Sequence, residues 1–253
     1  MNSKNMPQKI AIITGASSGL GWDFAKEIDK KNLDEIWIIA RREELLEKLS
    51  KELKTKSKIF AIDLTDKEKN KEIELELKKG KVEIQYLVNN AGFGLMGEFY
   101  KLDEDKQLNM IDLNVRALVQ ITHFSIKYMA KGGEIIQVAS TAGFLPMKNF
   151  AIYAATKAFV VSFTNALTLE LKPKKIHAIA ICPGPVKTEF FDVALEGKVP
   201  PFAYNSIDVV KKALKDSKRK KMNSIYGVIM NIVMSITHFI PRRLKVSVAS
   251  KSL

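Results

Sequence analysis

The sequence predicts an α/β fold, a doubly wound parallel sheet in a single domain, and three observations support this prediction. Short apolar runs rich in Ile and Val alternate along the chain with amphipathic stretches of helical length. Small or polar residues follow every apolar run. The 253 residues suit one large domain, and no linker rich in Pro, Gly or Ser divides them.

Each apolar run is predicted to form a strand buried on both faces, as strands inside a parallel sheet are. The predicted strands are Ile10–Ile13, Ile36–Ala40, Ile59–Ile62, Tyr86–Val88, Ile135–Ala139 and His177–Cys182. The predicted helices between them are Leu20–Lys30, Glu43–Leu53, Lys67–Lys79, Glu104–Ala130 and Tyr153–Leu171. This alternation favours right-handed βαβ units, with helices on both faces of the sheet.

The residues that follow the six runs are all small or polar. They are Thr14-Gly15, Arg41, Asp63, Asn89–Gly92, Ser140 and Pro183-Gly184. The carboxyl ends of parallel strands meet at one edge of a sheet, and ligands of doubly wound proteins bind in the crevice outside that edge. The sequence therefore predicts a ligand site there.

A glycine-rich loop, Thr14–Gly21, joins the first strand to the first helix with the spacing G-x-x-x-G-x-G. Gly15 permits a turn that a Cβ atom would obstruct, Gly19 lets the backbone approach a pyrophosphate, and Gly21 lets the helix pack on the strand. The N–H groups and dipole of a helix N-terminus attract phosphate, so we predict a Rossmann-like dinucleotide site. The alternative is a tight turn without a ligand. The loop residues predicted to bind the cofactor are Gly15, Ser17, Ser18, Gly19, Leu20 and Gly21.

The residues after the second strand indicate which dinucleotide binds. An NAD site places a carboxylate there for the ribose 2′-hydroxyl, whereas an Arg accommodates the 2′-phosphate of NADP. This strand ends at Ala40 and continues with Arg41 and Arg42. Two cations at the start of a helix oppose its dipole, and a bound phosphate would explain them. We predict NADP(H) rather than NAD(H), bound through Arg41; the alternative is that both arginines pair with Glu43 and Glu44 in solvent.

Tyr153 and Lys157 stand four residues apart at the start of a long helix, so their side chains share one face. A tyrosine has a pKa near 10 and is a poor base at neutral pH until a nearby cation stabilises the phenolate. The spacing alone is weak, since about one such pair is expected by chance with six Tyr and 41 Lys and Arg. Ser140, at the end of the preceding strand, adds a hydroxyl that could bond to a substrate oxygen.

These residues together resemble the short-chain dehydrogenase/reductase family in its compact single-domain form. The motifs are Thr14–Gly21, Asn89–Gly92, Asn114 within Leu113–Val115, Ser140, Tyr153, Lys157 and Pro183-Gly184, and they occur in this order between residues 9 and 188. The resemblance implies that 9–188 form the cofactor and catalytic core. We expect 189–204, punctuated by Gly197, Pro200 and Pro201, to form a substrate lid, and 205–253 a helical C-terminal extension.

The resemblance also implies catalytic roles. Tyr153 would be the general acid in carbonyl reduction and the base in alcohol oxidation. Lys157 would lower the pKa of Tyr153 and bond to the nicotinamide ribose, and Ser140 would polarise the carbonyl. Asn114 would hold a water that links Lys157 to solvent; an Asn in an apolar helix is costly unless it is hydrogen-bonded.

Further cofactor contacts are implied at the other strand ends. Asp63 and Leu64 would flank the adenine, although Asp63 could equally be an acid ahead of a helix N-terminus. Asn89 and Gly92, with Ala91 between them, would contact the adenosine ribose and the central strand. The contacts implied at the nicotinamide amide are Pro183, Gly184, Val186 and Thr188. Some NADP-using relatives carry a basic residue where this chain has Ser18, so phosphate recognition would rest more on Arg41.

We predict an NADP(H)-dependent oxidoreductase that moves a hydride between nicotinamide and a carbonyl or hydroxyl carbon. Three loops at the expected site are apolar and favour an apolar substrate: Phe93, Leu95 and Met96; Phe144, Leu145 and Pro146; Phe190, Phe191, Val193 and Leu195. A catalytically silent dinucleotide sensor is the alternative, and a third hypothesis is the same enzyme at a membrane surface. The resemblance implies a homodimer or homotetramer.

The net charge of +13 is concentrated near the C-terminus, where Ser206–Leu253 holds eleven Lys and Arg against two Asp. A solvated lysine-rich surface, an anionic membrane and nucleic acid are the possible reasons, and no nucleic-acid recognition motif accompanies the charge. The single cysteine, Cys182, and three scattered His predict no disulfide and no metal site. We expect a cytoplasmic protein, with Cys182 as a buried strand residue.

An apolar stripe at helical spacing runs through residues 225–240 and predicts an amphipathic helix. Its apolar face must be buried against the lid and substrate mouth, a second subunit, or a membrane surface, in that order of preference. A membrane surface would be supported by the charges of Lys218–Lys221 and Arg242-Arg243 at the two ends of the stripe.

Overall fold

A seven-stranded parallel sheet forms the centre of the molecule, in the strand order β3-β2-β1-β4-β5-β6-β9. The computed structural model describes residues 6–194, 197, 200–227 and 230–231. The strands of the sheet are β1 Gln8–Thr14, β2 Glu35–Ala40, β3 Ser57–Ala61, β4 Val82–Asn89, β5 Met129–Val138, β6 His177–Ile181 and β9 Asn223–Ser224. A separate parallel pair consists of β7 Val186–Lys187 and β8 Tyr204–Asn205.

Helices cover both faces of this sheet. They are α1 Gly19–Ile28, α2 Glu43–Glu52, α3 Asn70–Lys79, α4 Glu104–Ile111, α5 Leu118–Ser125, α6 Ala151–Glu170, α7 Phe190–Ala194 and α8 Ser206–Lys218. Side chains alternate along β1, so that Ala11 and Ile13 pack with α1, α2 and α8, whereas Ile10 and Ile12 pack with α3, α5 and α6. Both layers are apolar, and the doubly wound fold predicted from the sequence is confirmed.

All six predicted strands are present, but β5 is longer than predicted and displaces the end of a predicted helix. Glu104–Ala130 was expected to be one helix, and this was wrong. The chain forms α4, one π-helical turn over Asp112–Ala117, α5 and a short 3₁₀ turn over Ile126–Tyr128, and β5 then begins at Met129. The first half of β5 contains Lys131, Gly132 and Gly133 and has no continuous apolar run, which is why its start was missed.

The strands β7, β8 and β9 were also missed, because two residues are too few to show a period. β9 joins the sheet beside β6, where Ala180 N–H donates to Met222 O at 3.0 Å and Cys182 N–H donates to Ser224 O at 2.8 Å. The β7–β8 pair holds the two ends of the lid segment, residues 189–204, next to each other. The described part of the C-terminal extension thus supplies α8 and an edge strand.

By length and mean hydropathy (1.2), α6 could cross a membrane, and it is the one such helix in the described part of the chain. It packs against β6 and the 3₁₀ turn Thr141–Phe144. Val160, Thr164 and Leu167 on this helix are buried, so we assign it to the core. The helix predicted over 225–240 lies outside the described residues, apart from 225–227 and 230–231.

Candidate active site

The glycine loop lies at the carboxyl end of β1 and leads directly into α1. Gly19 has a φ of +53° and its α-carbon faces Thr188, so a Cβ atom there would lie 2.9 Å from the Thr188 methyl group. A Cβ atom on Gly21 would lie 2.1 Å from the carbonyl oxygen of Gly15. Ser18 precedes the helix in an extended conformation and makes no side-chain cap to it. The first N–H groups of α1 therefore remain available to an anion.

Asn90 fastens this loop to the end of β4. Its Nδ2 donates to the carbonyl oxygens of Thr14 at 3.1 Å and Gly15 at 3.0 Å. The Thr14 hydroxyl oxygen in turn accepts from the backbone N–H groups of Asn90 and Ala91 at 2.9 and 3.1 Å. The sequence analysis missed Asn90, although it is the second residue of the segment Asn89–Gly92 that marks this strand end.

Asn89 faces the other way, into the layer beneath the sheet. Its Nδ2 donates to the Thr122 hydroxyl at 2.9 Å, and that hydroxyl also accepts from Gln137 Nε2 at 3.0 Å. The side chain is 3% exposed. Its described contacts hold the central strands to α5.

A cavity of about 220 Å³ lies beside the carboxyl ends of β2 and β3. Arg41 and Asp63, which were predicted to contact the cofactor, line it together with Thr65, Phe93, Lys106, Asn109 and Leu113. The Asp63 carboxylate accepts from Thr65 N–H at 2.9 Å and from the Thr65 hydroxyl at 2.8 Å, in a turn that precedes α3. Asp63 therefore shapes the turn and lines the cavity at once, while Leu64 is buried in the core.

The two arginines after β2 have different partners, and neither partner is a neighbour in sequence. Arg41 is 75% exposed, and its Nη1 lies 3.8 Å from a carboxylate oxygen of Asp63. Nη2 of Arg42 donates to Glu189 at 2.7 Å and to the Ser17 and Ser18 hydroxyls at 3.2 Å each. Among the described ion pairs the expected alternative, pairing with Glu43 and Glu44, does not occur; the arginines pair instead with Asp63 and Glu189 from other loops.

Tyr153, Lys157 and Ser140 converge at the carboxyl end of β5. Burial raises the pKa of Tyr153 to about 12, while a hydrogen bond from the Ser140 side chain lowers that pKa in part. Burial lowers the pKa of Lys157 to about 8, and its Nζ lies 5.7 Å from the centre of the Tyr153 ring. Lys157 Nζ donates to Val138 O at 2.8 Å. At neutral pH the phenol is protonated and can donate its proton.

Asn114 connects three parts of the site from the π-helical turn. Its Nδ2 donates to Phe93 O at 2.9 Å and to the Thr156 hydroxyl at 3.1 Å, and its Oδ1 accepts from Phe93 N–H at 3.1 Å. The Thr156 hydroxyl donates to the carbonyl oxygen of Tyr153 at 2.8 Å. Asn114 thereby holds the strand end at Phe93 against the first turns of α6. Thr156 is a part of this arrangement that the sequence analysis missed.

The loop after β6 completes the site opposite the glycine loop. The carbonyl oxygen of Pro183 accepts from the N–H group of Thr141 at 2.9 Å and from its hydroxyl at 3.2 Å, which ties this loop to the turn after Ser140. Val186 is buried and pairs with β8, and Thr188 lies against Gly19. The described residues contain no cluster of His, Cys, Asp or Glu that could hold a metal ion.

Aromatic side chains surround Tyr153. The ring of Tyr153 stacks on Phe150 at 4.4 Å between ring centres and lies 5.3 Å from Phe190. Other apolar residues pack into the same cluster: Phe93, Leu95, Met96, Met110, Ala142, Met147, Ile152 and Ala194. Phe144 was expected here, but it packs in a different cluster with Val160 and Cys182. The side chain of Val193 and all of Leu195 lie outside the described residues.

Comparison with known proteins gives the family. The model of the short chain dehydrogenase family matches residues 9–198. An NADP-dependent 3-hydroxy acid dehydrogenase of Schizosaccharomyces pombe is 33% identical over 196 residues, covering 75% of this chain and 76% of that protein. The chain belongs to the short-chain dehydrogenases. It is an NAD(P)-dependent oxidoreductase that acts on alcohol and carbonyl groups.

Two solved structures are similar in fold and sequence. A short-chain dehydrogenase from Sphingobium yanoikuyae in complex with NADPH has a TM-score of 0.78 and 26% identity, over 94% of this chain and 97% of the other. A 3-ketoacyl-(acyl-carrier-protein) reductase from Brucella melitensis complexed with NADH has a TM-score of 0.74 and 26% identity, over 87% and 95%. Similar proteins thus bind either nicotinamide dinucleotide.

Proposed function

We propose that this protein is an NADP(H)-dependent reductase of apolar carbonyl compounds. The observation that carries the proposal is the group formed by the buried Tyr153 and Lys157 with the partly buried Ser140 at the carboxyl edge of the sheet. Asn114 holds this group through Thr156, and aromatic rings enclose it. A protein that only senses a dinucleotide has no need of a positioned proton donor.

The residues of the crevice fit a nicotinamide dinucleotide. The uncapped N-terminus of α1 and the close approach at Gly19 suit a pyrophosphate, and the cavity beside Arg41 and Asp63 suits an adenosine. Gly15, Ser17, Leu20 and Gly21 would complete the phosphate loop. The residues proposed for the remaining contacts are Ser18, Leu64, Asn89, Ala91, Gly92, Pro183, Gly184, Val186 and Thr188. When bound, the nicotinamide supplies the hydride or accepts it.

The side chains of this chain would handle the proton. In reduction the Tyr153 hydroxyl donates its proton to the carbonyl oxygen, and the Ser140 hydroxyl holds the same oxygen by a hydrogen bond. The Lys157 ammonium stabilises the phenolate that remains, and Asn114 holds the start of α6, which carries Tyr153 and Lys157, against Phe93 through Thr156. The aromatic walls exclude water from the reacting carbon. Burial raises the pKa of Tyr153 to about 12 in this structure, so at neutral pH the hydroxyl carries the proton that reduction requires.

Three observations support NADP(H) over NAD(H). Both Arg41 and Arg42 lie at the adenosine end, no carboxylate ends β2, and the relative from Schizosaccharomyces pombe is named for NADP. The apolar cluster around Tyr153 supports an apolar substrate.

The proposal is tested by following oxidation of NADPH with a panel of aldehydes, diketones and 3-oxoacyl thioesters. Turnover of an apolar carbonyl compound, lost in a Tyr153→Phe control, is the expected result. Tight cofactor binding without turnover of any panel member would favour the sensor instead.

We further propose that the protein is cytoplasmic and forms a homodimer or homotetramer. Large apolar side chains are exposed on two neighbouring helices, Leu108 and Ile111 on α4 and Phe159 and Leu169 on α6. Light scattering after size-exclusion chromatography measures the mass, and a monomer at micromolar concentration would contradict this assembly.

A further inference from the structure

The ion pair between Arg42 and Glu189 joins residues that are 147 positions apart in the chain. Arg42 stands between β2 and α2, and Glu189 is the first residue of the lid segment. Through Nη2 the same guanidinium also binds the hydroxyls of Ser17 and Ser18. Arg42 therefore ties the lid segment directly to the glycine loop.

The position of Glu189 is coupled to that of the catalytic tyrosine. Phe190, the next residue, has its ring 5.3 Å from the ring of Tyr153. The same ring touches the opposite wall, because a Cβ atom on Gly94 would lie 2.8 Å from it. Thr188, on the other side of Glu189, lies against Gly19. A displacement of Glu189 would thus move Phe190 over the catalytic tyrosine.

The pair of Arg42 and Glu189 consists of one positive and one negative charge in this structure. The hydrogen bond from Arg42 is the largest influence on Glu189 and lowers the pKa of its carboxyl, so the group is ionised at neutral pH. The pair is half exposed, with 44% of the Arg42 side chain and 50% of the Glu189 side chain accessible. A phosphate group that approaches Arg42 therefore meets a carboxylate that already accepts a hydrogen bond from Nη2 of the guanidinium.

We propose that Glu189 is a specificity-determining residue, whose carboxylate competes with the 2′-phosphate of the cofactor for Arg42 and so couples cofactor choice to the lid. The 2′-phosphate releases Glu189 and loosens the lid segment, whereas a cofactor without this phosphate leaves the pair intact. This inference rests on the proposed use of NADP(H) and adds a residue that weakens, rather than strengthens, binding of the phosphorylated form.

Adenosine 2′,5′-bisphosphate and adenosine 5′-monophosphate separate this effect from contacts at the nicotinamide. Both are titrated calorimetrically into the full-length protein and its Glu189→Gln variant. The variant should bind the bisphosphate about two- to tenfold more tightly, as expected for loss of a half-exposed competing pair, with unchanged affinity for the monophosphate. Asp192→Asn is the matched control, because it removes the same charge three residues further along the lid segment and should change neither affinity.

Limited trypsin digestion reports on the lid segment itself. Lys187 and Lys198 offer cleavage sites on either side of α7. The bisphosphate should speed cleavage of the wild-type lid severalfold, and the monophosphate should not. Glu189→Gln should be cleaved at the faster rate with or without nucleotide.

The outcomes distinguish this inference from the function on which it rests. If the wild-type protein prefers the bisphosphate but Glu189→Gln changes neither its affinity nor the cleavage rate, the competition is wrong. An equal gain in affinity for both nucleotides in Glu189→Gln would also overturn the competition. That result would mean that the substitution loosens the lid segment in general. If the wild-type protein binds the bisphosphate no better than the monophosphate, the proposed cofactor preference fails and the competition fails with it.

Discussion

At the scale of single residues, the hydroxyl of Tyr153 is the atom on which the proposed chemistry depends. The Tyr153→Phe variant keeps the ring that stacks on Phe150 and should fold and bind cofactor as the wild-type protein does. It lacks the transferable proton, so turnover should fall on the order of 10²–10⁴-fold or more. Steady-state kinetics with a good substrate measure this loss. A variant that keeps a third of wild-type activity would show that another group donates the proton.

The second residue with a measurable signature is Lys157, whose folded-state pKa is lowered by burial from 10.5 to about 8. The unfolded chain binds this proton more tightly than the folded chain, so the charge on Lys157 destabilises the fold. The penalty is fully present below about pH 8 and fades as the pH rises toward 10.5. A shift of this size corresponds to about 3 kcal/mol, an upper bound because Nζ also bonds to Val138 O.

The Lys157→Met variant should therefore be more stable than the wild-type protein at pH 7 and lose that advantage near pH 10.5. Urea denaturation at the two pH values measures the difference. Lys174→Met, at an exposed lysine, serves as the control and should show no such change with pH. A constant difference between Lys157→Met and wild type at both pH values would contradict the assignment of a destabilising buried charge.

Cofactor choice is also decided by single residues. Arg41→Ala should weaken binding of NADPH about ten- to a hundredfold, because a guanidinium bound to phosphate contributes on the order of 1.5–3 kcal/mol. Binding of NADH should barely change. Calorimetric titration of both cofactors measures the two effects. Equal losses of affinity for NADPH and NADH would show that Arg41 does not recognise the 2′-phosphate.

At the scale of elements, the π-helical turn Asp112–Ala117 is the feature that joins α4 and α5 to the site. Replacing Asn114, which is 1% exposed, by Ala leaves the partly buried Phe93 N–H and Phe93 O without their side-chain partner. We expect the free energy of unfolding to fall by about 1–3 kcal/mol and turnover to fall as well. Urea denaturation gives the first value.

Asn109→Ala, one turn earlier on the exposed part of α4, is the control for that prediction. It should change the free energy of unfolding by less than about 0.5 kcal/mol, as surface substitutions usually do. Similar losses of unfolding free energy in Asn109→Ala and Asn114→Ala would contradict this prediction. They would mean that substitutions throughout this helical region destabilise the fold and that the hydrogen bonds of Asn114 contribute no more than other contacts.

At the scale of the whole molecule, the chain after β9 returns to the base of the lid. Tyr226 packs edge-on against Tyr204 at 4.8 Å between ring centres, and the Met230 methyl group would lie 3.0 Å from a Cβ atom on Gly184. Asn231 Nδ2 donates to the carbonyl oxygens of Ile225 and Gly227 at 2.7 and 2.8 Å. Ile225, at the start of the apolar stripe, packs instead with Val160 and Cys182. Most of the stripe lies outside the described residues, so its burial against the lid and the substrate mouth stays a prediction.

Truncation after Ser224 should accordingly expose apolar surface, lower solubility and impair turnover more than cofactor binding. Solubility, kinetics and calorimetric titration of the truncated protein measure the three effects. If the truncated protein stays soluble and fully active but no longer sediments with anionic liposomes, the stripe binds a membrane surface instead.

The sequence by itself determined the doubly wound sheet, the glycine loop and the edge at which the polar residues gather. These features follow from local patterns: continuous apolar runs, glycines at fixed spacing, and residues placed directly after each strand. The pairing of Tyr153 with Lys157 also follows from a local pattern, because a spacing of four residues in one helix places both side chains on one face.

Only the tertiary structure decided which distant residues touch. Thr156 and Glu189 each bind a residue of the site from another element, and nothing in their own neighbourhood of the chain indicates it. Asn90 lies in a segment that the sequence marks as a strand end, but its bonds to the glycine loop, about 75 residues away, were not predicted. The break in the predicted helix after α4 and the early start of β5 were also seen only in the tertiary structure. The physical reason is that local patterns fix backbone periodicity, whereas hydrogen bonds and ion pairs between loops depend on how the packed sheet brings those loops together.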